Sequence, residues 1–178
     1  MAVASVGVTG IVVTSLTGSK ARAQAAELAE KQRVQMEKAA VDARNQQRKA
    51  EAYVQCLELA EQLGHWAQML RPSWDTYPPA ELPPLPELKE QAATQARLLA
   101  YGSENVASLW DAWNGSINDV RRAGRKLDVY DAAIRRQTST RIDEPEVIRE
   151  LEDELRPREL ERRKRLADRI NAELAGDA

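Results

Sequence analysis

Phenylalanine is missing from this 178-residue sequence, and cysteine and histidine occur once each, at Cys56 and His65. A lone cysteine cannot close an internal disulfide, which favours a reducing compartment. Cys56 and His65 offer neither a metal-ligand set nor a nucleophile with its base at a supporting spacing. The motif search adds no Gly-rich phosphate loop and no paired zinc motif. Aromatic residues make up 4% of the chain, so the core must come from Leu, Ile, Val and Ala with a few Trp and Tyr. A net charge of −2 excludes a strong global attraction to nucleic acid. What remains, 43% hydrophobic and 30% charged residues, fits a helical bundle of one domain, with or without an extension.

Charge is also missing locally. Residues 2–18 carry no charged side chain, while Val3, Val6, Val8, Ile11, Val12, Val13 and Leu16 are diluted by Gly7, Gly10 and Gly18. As a helix these residues would span roughly 26 Å, slightly less than a hydrocarbon core of about 30 Å. A cleaved secretory signal fits less well, because no basic residue precedes the apolar run. Lys20, Arg22, Lys31 and Arg33 follow it, so the positive-inside rule places the C-terminal body in the cytoplasm. The expectation is a single-pass anchor in a bacterial cell membrane. The alternative is a cytoplasmic protein with a β-branched, Gly-rich tail.

What is present is helical. From Lys20 to about Leu70 there is no Pro, and the first Gly is Gly64. The first half of this stretch scatters Leu28, Val34, Met36 and Val41 among charges and alanines, a stalk held by intrinsic propensity and pairs such as Glu27–Lys31. From Tyr53 on, Cys56, Leu57, Ala60, Leu63, Ala67 and Leu70 recur at helical spacing, so the core starts there. Prolines 72, 78, 79, 83, 84 and 86 make residues 71–86 an extended connector. Its PPLP at residues 83–86 resembles a proline-rich recognition ligand, but an interhelical loop buttressed by Trp74 and Tyr77 is the preferred reading.

A second helix is expected from about Leu85 to Ala100, with Leu85, Leu88, Ala92, Gln95 and Leu99 on one side. Gly102 should stop it and Ser103 cap the next. The third carries the clearest pattern: Val106, Leu109, Trp110, Trp113, Ile117, Val120, Leu127, Tyr130 and Ile134. Its phase runs unbroken through Asn114-Gly115-Ser116, which predicts a continuous helix. After a polar link at residues 137–143, Asp143 should cap a fourth helix with Pro145 in its first turn. That helix carries the stripes Val147, Ile148, Leu151, Leu155 and Leu160, Leu166, Ile170, Leu174, with a kink or restart expected at Pro157. Gly176 ends it.

The fold expected is therefore all-α: an apolar segment at 1–19, a charged stalk at 20–52, and an antiparallel bundle at 53–178 with the connector 71–86. Chemistry is hard to find in it. Cys56 reads as a buried thiol, Glu61 and His65 as a hydrogen-bonded pair, and the acidic run at 150–154 as a solvated helix face. The basic clusters Arg121, Arg122, Arg125, Lys126 and Arg162–Arg165 lack aromatics on a shared exposed face, so nucleic acid is not expected as a partner. No catalytic, cofactor-binding or metal-binding residue is assigned.

Two stretches carry a resemblance. Arg48-Lys49-Ala50-Glu51-Ala52-Tyr53 leading into Leu57, and Leu98-Leu99-Ala100-Tyr101-Gly102-Ser103 followed by Val106, resemble a loose group of small helical proteins of high-GC bacteria. These have an apolar N-terminus, a charged helix and a helical body. The group carries no assigned activity, so the resemblance implies a membrane-tethered helical layout and nothing about a reaction. The first helix is also similar in composition to the stator stalk b subunit of ATP synthases, from which the Pro-rich break and the Trp-bearing helix depart. The functional expectation is a non-catalytic, membrane-tethered interaction or scaffold protein. It would have protein partners and would self-associate through its stalk. The alternative is a soluble coiled-coil assembly or adaptor protein whose N-terminus orders on a partner.

Overall fold

The computed structural model describes residues 7–71, 83–135 and 144–176, with no strand among the described residues. Helix α1 covers Gly7–Met69, α2 Leu88–Tyr101 and α3 Glu104–Arg135. Helix α4, Glu144–Arg149, runs through a π-helical segment at Glu150–Leu155 into α5, Arg156–Ala175. The chain divides into two compact units, Met1–Gln47 and Arg48–Ala178.

In the first unit every residue from Gln24 is exposed, including Leu28 at 61% and Met36 at 66%. This part of α1 buries no apolar face. Its local support is the ladder Glu27–Lys31 at 2.7 Å, Glu30–Arg33 at 3.0 Å and Arg33–Glu37 at 3.9 Å. Exposed pairs of this kind contribute about 0.3–0.5 kcal/mol each, so Ala, Gln and Arg propensity carries most of the helix.

In the second unit burial begins at Ala52 and Tyr53 and follows the α1 face through Cys56, Leu59, Ala60, Leu63, Trp66, Ala67 and Leu70. Contacts fix the register. Tyr53 meets Ser103 at the start of α3 and Leu70 meets Gly124 further along it, so α1 and α3 run parallel. Lys49, Glu61 and Gln68 meet Glu173, Arg163 and Glu159 in reverse order, so α5 is antiparallel to both. Gln55 pairs with Arg97 of α2, which also returns antiparallel. Helix α3 lies between α2 and α5, with Val106, Trp110, Trp113, Ile117, Val120, Ala123 and Leu127 buried. It continues through Asn114-Gly115-Ser116 without a break.

The helix ends follow from their residues. The Ser103 hydroxyl accepts from the Val106 N–H at 3.1 Å and starts α3. Gly102 closes α2 with its N–H on the Leu98 carbonyl at 2.8 Å, where a Cβ would stand 2.6 Å from that oxygen. Gly176 ends α5 in the left-handed region, at φ 83°. Pro145 sits in the first turn of α4, whereas Asp143 and the polar link at 137–143 lie outside the described residues.

Two expected faces are corrected. On α2, Leu88 is 79% and Leu99 69% exposed, while Thr94 and Leu98 are buried and Gln91 is half-buried. The Gln91 amide donates to the Pro86 carbonyl at 2.9 Å and accepts from Arg121 at 3.2 Å, which turns the polar side of this short helix inward. The helix also begins at Leu88, not Leu85, because Glu87 caps it in extended geometry with a reciprocal Glu90 box.

On α5, Leu160 and Leu174 are 51% and 45% exposed. The inward seam is Arg156, Glu159, Arg163, Leu166, Ile170 and Glu173, and its spacing alternates three and four. A π-helical segment precedes this seam. It inserts one extra residue per turn ahead of Pro157, whose missing N–H cannot serve the regular ladder, and the Arg156 N–H bonds to the Leu151 carbonyl instead. No separate restart is needed at Pro157.

Candidate functional site

The bundle interior holds two carboxylates, each on α5 and each gathering donors from other helices. Glu173 is the richer centre. Its side chain is 2% exposed and accepts from Tyr53 Oη at 2.5 Å, Ser103 Oγ at 2.6 Å, Lys49 Nζ at 2.8 Å and Arg169 Nε at 2.9 Å. The Ser103 N–H in turn donates to Tyr53 Oη at 3.0 Å, and Lys49 Nζ lies 5.3 Å from the centre of the Tyr53 ring. The partners come from α1 (Lys49 and Tyr53), the junction of α2 and α3 (Ser103) and the preceding turn of α5 (Arg169).

A serine, a tyrosine, a lysine and a carboxylate within hydrogen-bond reach suggest proton-transfer chemistry, but their electrostatics oppose it. Burial raises the Glu173 pKa, while hydrogen bonds from Lys49, Ser103 and Tyr53 outweigh it and bring the group down to about 2. The Lys49 ammonium is shifted upward, chiefly by its hydrogen bond to Glu173. At neutral pH the carboxylate keeps its charge and the ammonium keeps its proton. A general base or acid needs a pKa near the working pH. Ser103 Oγ is further committed to capping α3. The arrangement ties α1, the α2–α3 junction and α5 together through one carboxylate.

Glu159, fully buried, is the second centre. It accepts from the Trp113 indole N–H at 2.9 Å, pairs with Arg163 Nε at 3.3 Å and takes a weaker contact from Gln68 at 3.4 Å. Arg163 also reaches Glu61 at 2.8 Å. The guanidinium lies flat over Gly64, where a Cβ would stand 2.5 Å from its Cζ. A larger residue at position 64 would make the end of the Arg163 side chain shift. At the far end of the seam, Arg156 donates from Nε to the Ala67 carbonyl at 3.2 Å and from Nη2 to the Leu70 carbonyl, closing the C-terminus of α1.

The candidates raised by the sequence are dispersed by the fold. His65 is exposed, and Glu61 pairs with Arg163, not with it. Cys56 is fully buried and burial pushes its thiol up to about 12. It should resist iodoacetamide in the native protein and react at the rate of unfolding, a difference that mass spectrometry in graded urea would read. In the acidic run, Glu150 pairs with Lys126 at 3.5 Å, Glu152 with Arg156 at 3.6 Å and Glu154 with Arg158 at 3.8 Å. Among the described residues no three His, Cys, Asp or Glu side chains converge to hold a metal.

In the basic clusters, Arg122 pairs with Asp119 at 3.3 Å, and Arg162 donates to the Ala112 carbonyl at 2.8 Å and to Ser116 at 2.9 Å. Arg165 pairs with Glu161. Of the PPLP segment, Pro84 and Leu85 are exposed and Pro83 and Pro86 half-buried beside a groove of about 510 Å³ bordered by Gln62 and His65. Trp74 and Tyr77 lie outside the described residues.

The two buried carboxylates were missed because only apolar stripes were sought. The signal was there: Arg156, Glu159, Arg163, Leu166, Ile170 and Glu173 keep the spacing of a core seam while changing chemistry along it. The chain matches no family model, no curated protein and no solved structure.

Proposed function

We propose that this is a non-catalytic helical interaction protein, tethered to a membrane by residues 2–18 with its bundle on the cytoplasmic side. One observation carries the reading. Helix α1 persists over residues 24–48 with no buried face, so its exposed surface acts as a spacer and as a contact surface for a protein partner or a second copy. The bundle supports the non-catalytic part, because Glu173, Lys49 and Cys56 are held far from neutral titration. The pairing of Arg122, Lys126, Arg162 and Arg163 supports the reading that nucleic acid is not the partner.

A second reading is a soluble adaptor whose N-terminus docks on a protein. It is favoured by the finding that no helix among the described residues is long and apolar enough to cross a membrane. The uncharged part of α1, Gly7 to Gly18, spans roughly 18 Å as a helix. Membrane fractionation separates the two. Under the tethered reading the full chain pellets with membranes after alkaline carbonate washing, and deletion of residues 2–18 releases it. Release of the full chain by carbonate would remove the tether and leave the adaptor.

A further inference from the structure

The positive charge at the C-terminal half of α3 exceeds what the fold consumes. Arg122 and Lys126 have carboxylate partners, at 3.3 Å in Asp119 and 3.5 Å in Glu150. Arg121 shares one hydrogen bond with Gln91, and its Nε is buried without a partner. Burial lowers the Arg121 pKa, and the charge of Arg125 lowers it further. Arg125 itself is exposed and makes no ion pair or hydrogen bond among the described residues.

These cations border a groove of about 360 Å³ between α3 and α4, lined by Arg122, Arg125, Lys126, Val129 and Val147. Val129 is 63% exposed at its mouth. Among the described residues no carboxylate lines it. Asp119, Glu150 and Glu154 line the neighbouring groove on the other side of Arg122 and Lys126. Its lining is chiefly apolar, from the two valines and the methylene stems of Arg122, Arg125 and Lys126, which carry their charges at the ends of those stems. Among the described residues no aromatic ring lines the groove to stack a base, which argues against a nucleic-acid strand.

We infer that this groove binds a small amphiphilic anion, a phosphate or carboxylate head bearing a short alkyl chain. The head would sit against Arg125, with Arg122 and Lys126 turning from their exposed carboxylate pairs, which hold weakly in water. The chain would lie on Val129 and Val147. A volume of this size lies at the lower end of small-ligand pockets, roughly 300–1,000 Å³, and matches a compact ligand. This site is independent of the tether.

Calorimetric titration of the full chain with hexyl phosphate tests the inference, with inorganic phosphate and hexanol as the charge-only and chain-only probes. Saturable binding of hexyl phosphate is expected, with each single-feature probe about tenfold weaker or more. Arg125→Gln and Val129→Asp, both at exposed positions, should each weaken binding about tenfold while leaving the helical melting curve in place. Absence of saturable binding, equal binding by Arg125→Gln, or inorganic phosphate binding as tightly as hexyl phosphate would overturn it. Displacement of the bound probe by phosphatidylglycerol vesicles, but not by phosphatidylcholine vesicles, assigns the ligand to a bilayer. Failure of both vesicles to displace it assigns a free amphiphile.

Discussion

Glu159→Ala is expected to destabilise the bundle by about 3–5 kcal/mol, measured by urea unfolding. The substitution removes the acceptor of the Trp113 indole N–H at 2.9 Å and the buried counter-charge of Arg163 at 3.3 Å. Arg163 is 12% exposed and would keep only Glu61, whose own side chain is 71% exposed. The cost is therefore a buried cation left with one exposed partner plus an orphaned indole donor, on top of the cavity. Glu159→Gln keeps an acceptor for the indole and should cost less. Replacing Glu159 and Arg163 together by leucine and methionine should recover most of the loss, because a hydrophobic pair of similar volume avoids both desolvation penalties. If the single and double variants are equally destabilised, Glu159 is not coupled to Arg163 as described.

Glu173→Gln is expected to be the second most damaging change, and its effect depends on pH. The folded carboxyl titrates at about 2, against an ordinary value of 4.5. A carboxyl depressed by folding contributes stability that is fully present above the unfolded value and is lost as pH falls toward the folded one. The native protein should thus lose stability between about pH 4.5 and 2, on the order of 2 kcal/mol from this group once solvent near the cluster is allowed for. In Glu173→Gln that loss is already taken at neutral pH, and the stability difference from the native chain should shrink steadily below pH 4.5. Chemical denaturation at a series of pH values reads this directly. A difference that stays constant to pH 2.5 would mean that the charge of Glu173 does not hold the cluster.

Much of the architecture was legible because apolar spacing dictates burial where a helix is long. The α3 pattern from Val106 to Leu127 needed nothing but its period, and it carried through Gly115 because its flanking turns pack on both sides. The start of the core near Tyr53 was legible for the same reason. Helix α2 was misread because, in a helix of 14 residues, the contacts of Gln91 and Thr94 outweigh the exposure of two leucines. Leu160 and Leu174 were misread because the inward positions beside them, Glu159, Arg163 and Glu173, are charged residues that pair across helices, which leaves these two leucines outside. The buried carboxylates were invisible to a search for apolar stripes. Their donors, Lys49, Tyr53, Ser103 and Trp113, lie far away in sequence and meet them only through the register of the fold.

This account rests on an interior whose ionisable groups fasten helices together and move no protons at working pH. The most direct test follows the Glu173 side-chain carboxyl by carbon-detected NMR across pH. Its shift should stay flat from pH 8 down to about 4.5 and move only as pH approaches about 2. An inflection between pH 6 and 8 would reveal a proton-transfer group beside Ser103, Tyr53 and Lys49, and would contradict the non-catalytic reading.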